Sequence, residues 1–149
     1  MFFNKKKRTA ARIFKSARKT STEILEDIAD NGMPLKEELG AQIDTSKWSF
    51  YAIIAAVFLG FQANEAGLSE VDSRELARFV KDYLQKWDHN APESFYDLAD
   101  FIITSREKGV DSASATGLWV LIKVKDEMPD HKDMAIAHRI GSLLNRTIV

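Results

Sequence analysis

"FYAIIAAVFLGF", residues 50–61, is the stretch on which the fold turns. Its twelve consecutive apolar residues would make a helix about 18 Å long, too short for a hydrocarbon core of about 30 Å. Polar residues close in at Lys47, Gln62, Asn64 and Glu65. The stretch therefore reads as a buried helix over about residues 47–66, capped by Ser46 or Thr45. A helix that is apolar all round belongs at the centre of a bundle. Its sides are not equivalent. Ala52, Ala56, Gly60 and Ala63 form a ridge of small residues, whereas Phe50, Ile53, Ile54, Val57, Phe58 and Phe61 are bulky. The ridge leaves room for one neighbour to approach closely.

Downstream, Gly67 ends this helix and Ser69 starts the next. Leu76, Phe79, Val80, Tyr83, Leu84 and Trp87 form an amphipathic stripe there. After "DHNAP", Asn90 and Glu93 have the spacing of a capping box, and Phe95, Leu98, Ala99 and Ile102 line a helix that Lys108 and Gly109 stop. Residues 113–127 carry β-branched Val120, Ile122 and Val124. No partner strand is evident, so the segment is expected to be helical. Asp130 then caps a final helix carrying Met134, Ala137, Ile140, Gly141 and Leu144.

Upstream, Ala10, Phe14, Ala17, Ser21, Ile24 and Ile28 recur at alternating steps of four and three, which is one helix face. Thr20 and Glu23 again have capping-box spacing and predict a fresh start near Ser21, giving two helices or one with a bend. Gly32 and Pro34 close that segment. A short helix from Leu35 to Ile43 follows. The expected fold is all-α, a compact bundle of six or seven helices around the central apolar one.

The charge is unevenly spread. Lys5, Lys6, Lys7, Arg8, Arg12, Lys15, Arg18 and Lys19 give the first 22 residues +8 with no acid, while the remainder carries 13 basic and 22 acidic residues, or -9. Residues 1–19 read as a basic amphipathic arm and 20–149 as a single acidic all-α domain. Such asymmetry bears on association rather than on fold. The arm lacks the apolar run of a secretory signal, and a chain without cysteine excludes disulfides and thiolate chemistry. The expected location is the cytoplasm, with the membrane surface as the alternative.

Catalytic signatures are weak. His131 and His138 stand two turns apart near Glu127 and Asp133, without the i, i+4 spacing or the carboxylate-x-x-His pair that a helical metal site uses. No metal and no cofactor is expected. Paired carboxylates occur at Glu23 and Glu26, Asp27 and Asp30, and Asp97 and Asp100. Helix-borne pairs of this kind can hold magnesium, so one alternative is a metal-dependent hydrolase acting on a phosphorylated small molecule through Glu23, Glu26, Asp97 and Asp100. Solvated helix faces produce the same pairs routinely. The apolar helix followed by "ANEAGLSEVDSREL", residues 63–76, resembles the tellurite-resistance B type of helical domain. That family pairs acidic loop-to-helix turns in two halves, and the second half here has no such turn, so the resemblance assigns no residue a role.

The arm remains the principal feature. Its apolar face could pack on the body while its charges meet the acidic surface, within the molecule or in a dimer. It could instead grip nucleic-acid phosphates. A third use would insert Phe2, Phe3, Ile13 and Phe14 into an anionic membrane while the cations meet headgroups. The expectation is a non-catalytic interaction or regulatory module. Its anionic contact would run through Lys5, Lys6, Lys7, Arg8, Arg12, Lys15, Arg18 and Lys19, with a protein partner or self-association ahead of the membrane and of nucleic acid.

Overall fold

The computed structural model describes residues 4–28, 32–40 and 43–146, which form seven α-helices and no strand. In chain order they are α1 (Lys5–Glu23), α2 (Leu35–Leu39), α3 (Thr45–Glu65), α4 (Glu70–Trp87), α5 (Ala91–Glu107), α6 (Ser112–Lys125) and α7 (His131–Arg146). The apolar stretch lies in α3, where every residue from Ala52 to Phe61 is buried. Helices α1, α4, α5, α6 and α7 pack around it. Its cap is Asp44, not Thr45 or Ser46: the Asp44 carboxylate accepts from the N–H groups of Ser46 at 2.9 Å and Lys47 at 3.2 Å. A carboxylate at the positive end of a helix gains a charge interaction that a hydroxyl lacks. Among the described residues no helix is long and apolar enough to cross a membrane.

The close neighbour at the small-residue ridge is α1. A Cβ added to Gly60 would stand 3.0 Å from Ile13 Cγ2, so the two helices meet there with no room to spare. The expected break near Ser21 is absent. Helix α1 runs unbroken to Glu23 and tightens into a 3₁₀ turn over Ile24–Glu26. Ala10, Ile13, Ala17, Thr20, Ser21 and Ile24 are buried along one stripe, and the fully buried Trp48 donates its indole N–H to the Ser21 carbonyl at 2.8 Å. A new N-terminus at Thr20 would interrupt that stripe for the sake of one cap bond, worth about 1 kcal/mol. Continuous burial wins. The boundary drawn at residue 19 thus falls inside a helix, and the helical run ends at Glu26, ahead of Gly32 and Pro34.

Two other local readings change. Helix α2 stops at Leu39 because Gly40 turns to φ 108°, which leaves Ile43 outside it. Asn90 makes no side-chain cap. Instead its N–H donates to Asp88 Oδ1 at 2.8 Å, and Ala91 N donates to the Asp88 carbonyl at 2.9 Å, so Asp88 organises the turn.

Helices α6 and α7 form the most extensive pairing. The β-branched segment is helical, with Val120 and Val124 buried. Gly117 and Gly141 face each other's helices: a Cβ on Gly117 would overlap the Ala137 carbonyl oxygen, and one on Gly141 would overlap the Ala113 carbonyl oxygen. The start of α7 is held by a reciprocal pair. Asp133 N donates to Asp130 Oδ1 at 2.9 Å, and Asp130 N donates back to Asp133 Oδ2 at 3.0 Å. The buried Asp133 carboxylate also takes Lys125 Nζ at 2.9 Å. The Asp130 N–H, seconded by the Lys125 ammonium, holds the Asp133 carboxyl below the usual carboxylate range. Met134, expected on the core face, is 45% exposed.

Two outcomes follow from the α6–α7 junction. Gly117→Ala should cost about 3 kcal/mol in urea unfolding, because backbone rather than a mobile side chain stands in the way. An unchanged midpoint would show that the helices can separate freely. Asp133 has a folded-state pKa below its unfolded one, so it adds stability above the ordinary carboxylate range. That stability is lost as pH falls through the depressed pKa. Asp133→Asn should therefore be less stable than the parent at neutral pH, with the gap closing in the acid limb of a pH series.

Candidate functional site

The eight cations of the first segment do not share one environment. Lys5, Lys6, Lys7 and Arg8 fill the first four positions of α1, behind the cap Asn4, whose side-chain Oδ1 accepts from Lys6 N at 3.0 Å and Lys7 N at 3.3 Å. The first turn has no acid. Lys6 turns inward across α4, 3.1 Å from Asp72 and 3.3 Å from Glu75, while Asn4 Nδ2 donates to Glu75 at 3.0 Å. The Asp72 and Glu75 carboxylates raise the Lys6 pKa. Lys6 is thus a strut between α1 and α4.

The remaining cations are exposed. Arg8, Arg12, Lys15 and Lys19 are spaced four, three and four apart, so they form one stripe directly opposite the buried stripe. Arg12 reaches Asn64 Oδ1 at 3.4 Å. Lys5, Lys7, Lys15 and Lys19 make no ion pair among the described residues. Like charges three or four apart on a helix repel by a few tenths of a kcal/mol each.

Beside this stripe lies an open groove of about 630 Å³. Helix α1 supplies Phe14, Lys15, Arg18 and Lys19, α3 supplies Ser49 and Ile53, and Trp87 stands at the end of α4. Among the described residues no acid lines it. Its aromatic side is firm. Phe14 meets Trp87 edge-on at 5.6 Å and stacks near Tyr83 at 6.2 Å, and Trp87 stacks on Phe50 at 5.5 Å. The Arg18 guanidinium lies 6.0 Å from the centre of the Phe14 ring, within cation–π reach.

The apolar residues expected at a contact surface fare differently. Ile13 is buried against Gly60. Phe14 is half-buried in the aromatic cluster. Phe2 and Phe3 lie outside the described residues.

Among the acidic and histidine constellations, Asp97, Asp27 and His138 have partners of their own. Asp97 accepts from the Trp119 indole at 2.9 Å and meets Lys123 at 3.2 Å, and the Trp119 bond leads in lowering its pKa. Asp27 faces Arg139 at 3.6 Å and Arg146 at 3.4 Å, while Asp30 lies outside the described residues. Arg139 also donates to the Asp27 carbonyl at 2.8 Å and places Nη1 2.9 Å from Glu38. That last approach is an ion pair set off the hydrogen-bonding direction. Ser114 Oγ lies 3.0 Å from His138 Nδ1. A nucleophile–base pair works best with a third group that orients the far side of the imidazole. Asp111 instead takes the Ser114 N–H at 3.1 Å as the cap of α6. Among the described residues no three His, Asp or Glu side chains converge as metal ligands.

Comparison with protein-family models, curated proteins and solved structures finds no match to this chain. The groove was not foreseen from the sequence. In the sequence Trp87 ends an apolar stripe, which signals packing and says nothing of which helix lies alongside.

Separate roles for the cations make a direct prediction. Lys6→Glu should lower the melting temperature, because two carboxylates of α4 would then face a third. Lys15→Glu and Lys19→Glu should leave it unchanged or raise it by relieving repulsion. Circular-dichroism melts distinguish the cases, and equal losses at all three sites would contradict the assignment.

Proposed function

We propose that this protein is a non-catalytic interaction or regulatory module of the cytoplasm, and that the outward stripe of α1 docks an acidic protein surface, which includes the anionic remainder of a second copy. One observation carries the reading. Seven of the eight leading cations are exposed on a helix whose opposite face is locked into the core. Four of the eight crowd the positive end of the helix dipole, where each cation is disfavoured by about 0.3–1 kcal/mol. A helix selected for stability alone would carry acids there. An anionic partner would offset both the dipole term and the mutual repulsion of the stripe.

The membrane reading loses support because Ile13 is in the core and Phe14 is stacked within its cluster. A duplex reader would present a second basic element, and the neighbour of α1 at its N-terminus contributes Asp72 and Glu75.

Poly-glutamate, phosphatidylserine vesicles and a duplex oligonucleotide, each at low and high salt, test the reading, with sizing chromatography for self-association. Poly-glutamate is expected to bind in a salt-sensitive way. The Lys15→Glu, Lys19→Glu double variant should weaken it at least about tenfold while remaining folded. A parent protein that binds none of the probes and elutes as a monomer would overturn the reading.

A further inference from the structure

The groove beside the stripe carries more than charge. Three tryptophans occur in the chain. Trp48 and Trp119 both place their indole N–H on an acceptor, the Ser21 carbonyl and the Asp97 carboxylate. Trp87, at the groove, finds none among the described residues. Neither does the exposed Ser49 hydroxyl, and among the described residues Lys15 and Lys19 have no counter-charge. Donors and cations thus collect around a partly uncovered aromatic surface with no acid among the described residues of its walls. The complement of such a surface is an acceptor-rich, negatively charged ligand with one flat or bulky apolar part. A volume of about 630 Å³ is ample for one large side chain with flanking backbone.

Resting on the docking role of α1 above, we propose that the groove between α1, α3 and Trp87 receives one aromatic side chain of an acidic peptide segment, whose flanking carboxylates lie along Arg12, Lys15 and Lys19. The shape of the charge favours a peptide over a small anion. The stripe runs most of the length of a helix about 28 Å long, and an isolated anion would engage one end of it. A bilayer would need the apolar groups to protrude, whereas Phe14 and Trp87 are set between helices and packed on each other. The aromatic anchor supplies affinity by covering Phe14 and Trp87, and the carboxylates supply direction and speed of encounter.

The experiment uses the full chain and two dye-labelled oligoglutamate peptides, one with a central phenylalanine and one with alanine there, read by fluorescence anisotropy. The phenylalanine peptide should bind about tenfold or more tightly than its twin. Ser49→Trp, at an exposed site, should fill the groove and reduce that ratio to about one without abolishing either interaction. The Lys15→Glu, Lys19→Glu variant should lose both peptides. Equal affinity of the parent for the two peptides, or a ratio untouched by Ser49→Trp, would overturn the anchor while leaving the docking role intact. Failure of both peptides to bind the parent would overturn the anchor, and a parent that in addition binds no other probe and elutes as a monomer would overturn the docking role too. Stronger retention on phosphatidylserine vesicles or duplex DNA than on either peptide would assign the surface to another class of partner, against the proposal.

Discussion

The structure depends on a helix that has no polar side. Because α3 is buried around its whole circumference from Ala52 to Phe61, every direction from that part of its axis must be covered by another helix, and the side at Gly60 leaves no room to spare. Only a helix bearing a small-residue stripe with one branched residue can sit there, and α1 supplies Ala10, Ala17 and Ile13. That single packing requirement fixes the rotation of α1 about its own axis. It therefore also fixes which of its cations face water. Charge presentation in this molecule is a by-product of core packing.

The architecture was readable from residue spacing, since apolar periodicity reports burial and burial is what the tertiary fold decides. The errors fall at chain ends of helices, where the competing energies are small. Thr20 and Glu23 look like a helix start, yet a cap bond cannot compete with an uninterrupted row of six buried residues. Asn90 lost its expected role to Asp88, two residues earlier, which closes the same turn with both its carboxylate and its carbonyl. For the site, the existence of a basic stripe was visible in the spacing of Arg8, Arg12, Lys15 and Lys19. The diversion of Lys6 to Asp72 and Glu75 was not, because it depends on where α4 crosses α1. Ser49, Ile53 and Trp87 were equally hidden, as three helices must converge before they share a wall.

Among the described residues the basic helix and the acidic remainder are joined through Lys6. Lys6 reaches two carboxylates of the body, Asp72 and Glu75, and both belong to α4. The other ion pairs described tie the remaining elements to one another, as Lys125 does with Asp133 and Arg139 with Glu38. Charge separation therefore persists in the folded state instead of being neutralised internally. Pairing more of these cations within the chain would stabilise little, given what exposed ion pairs contribute, and would reduce the field outside the molecule.

The contact between Gly117 and Gly141 has a consequence for descent. Each glycine faces main chain of the opposite helix, so a methyl at either site cannot be accommodated by compensating at the other. In any diverged copy of this fold the two positions must change together with the interhelical spacing, or not at all. The steric argument makes this doublet, separated by the turn through the left-handed Asp126, the pair of positions at which a diverged copy would have least freedom.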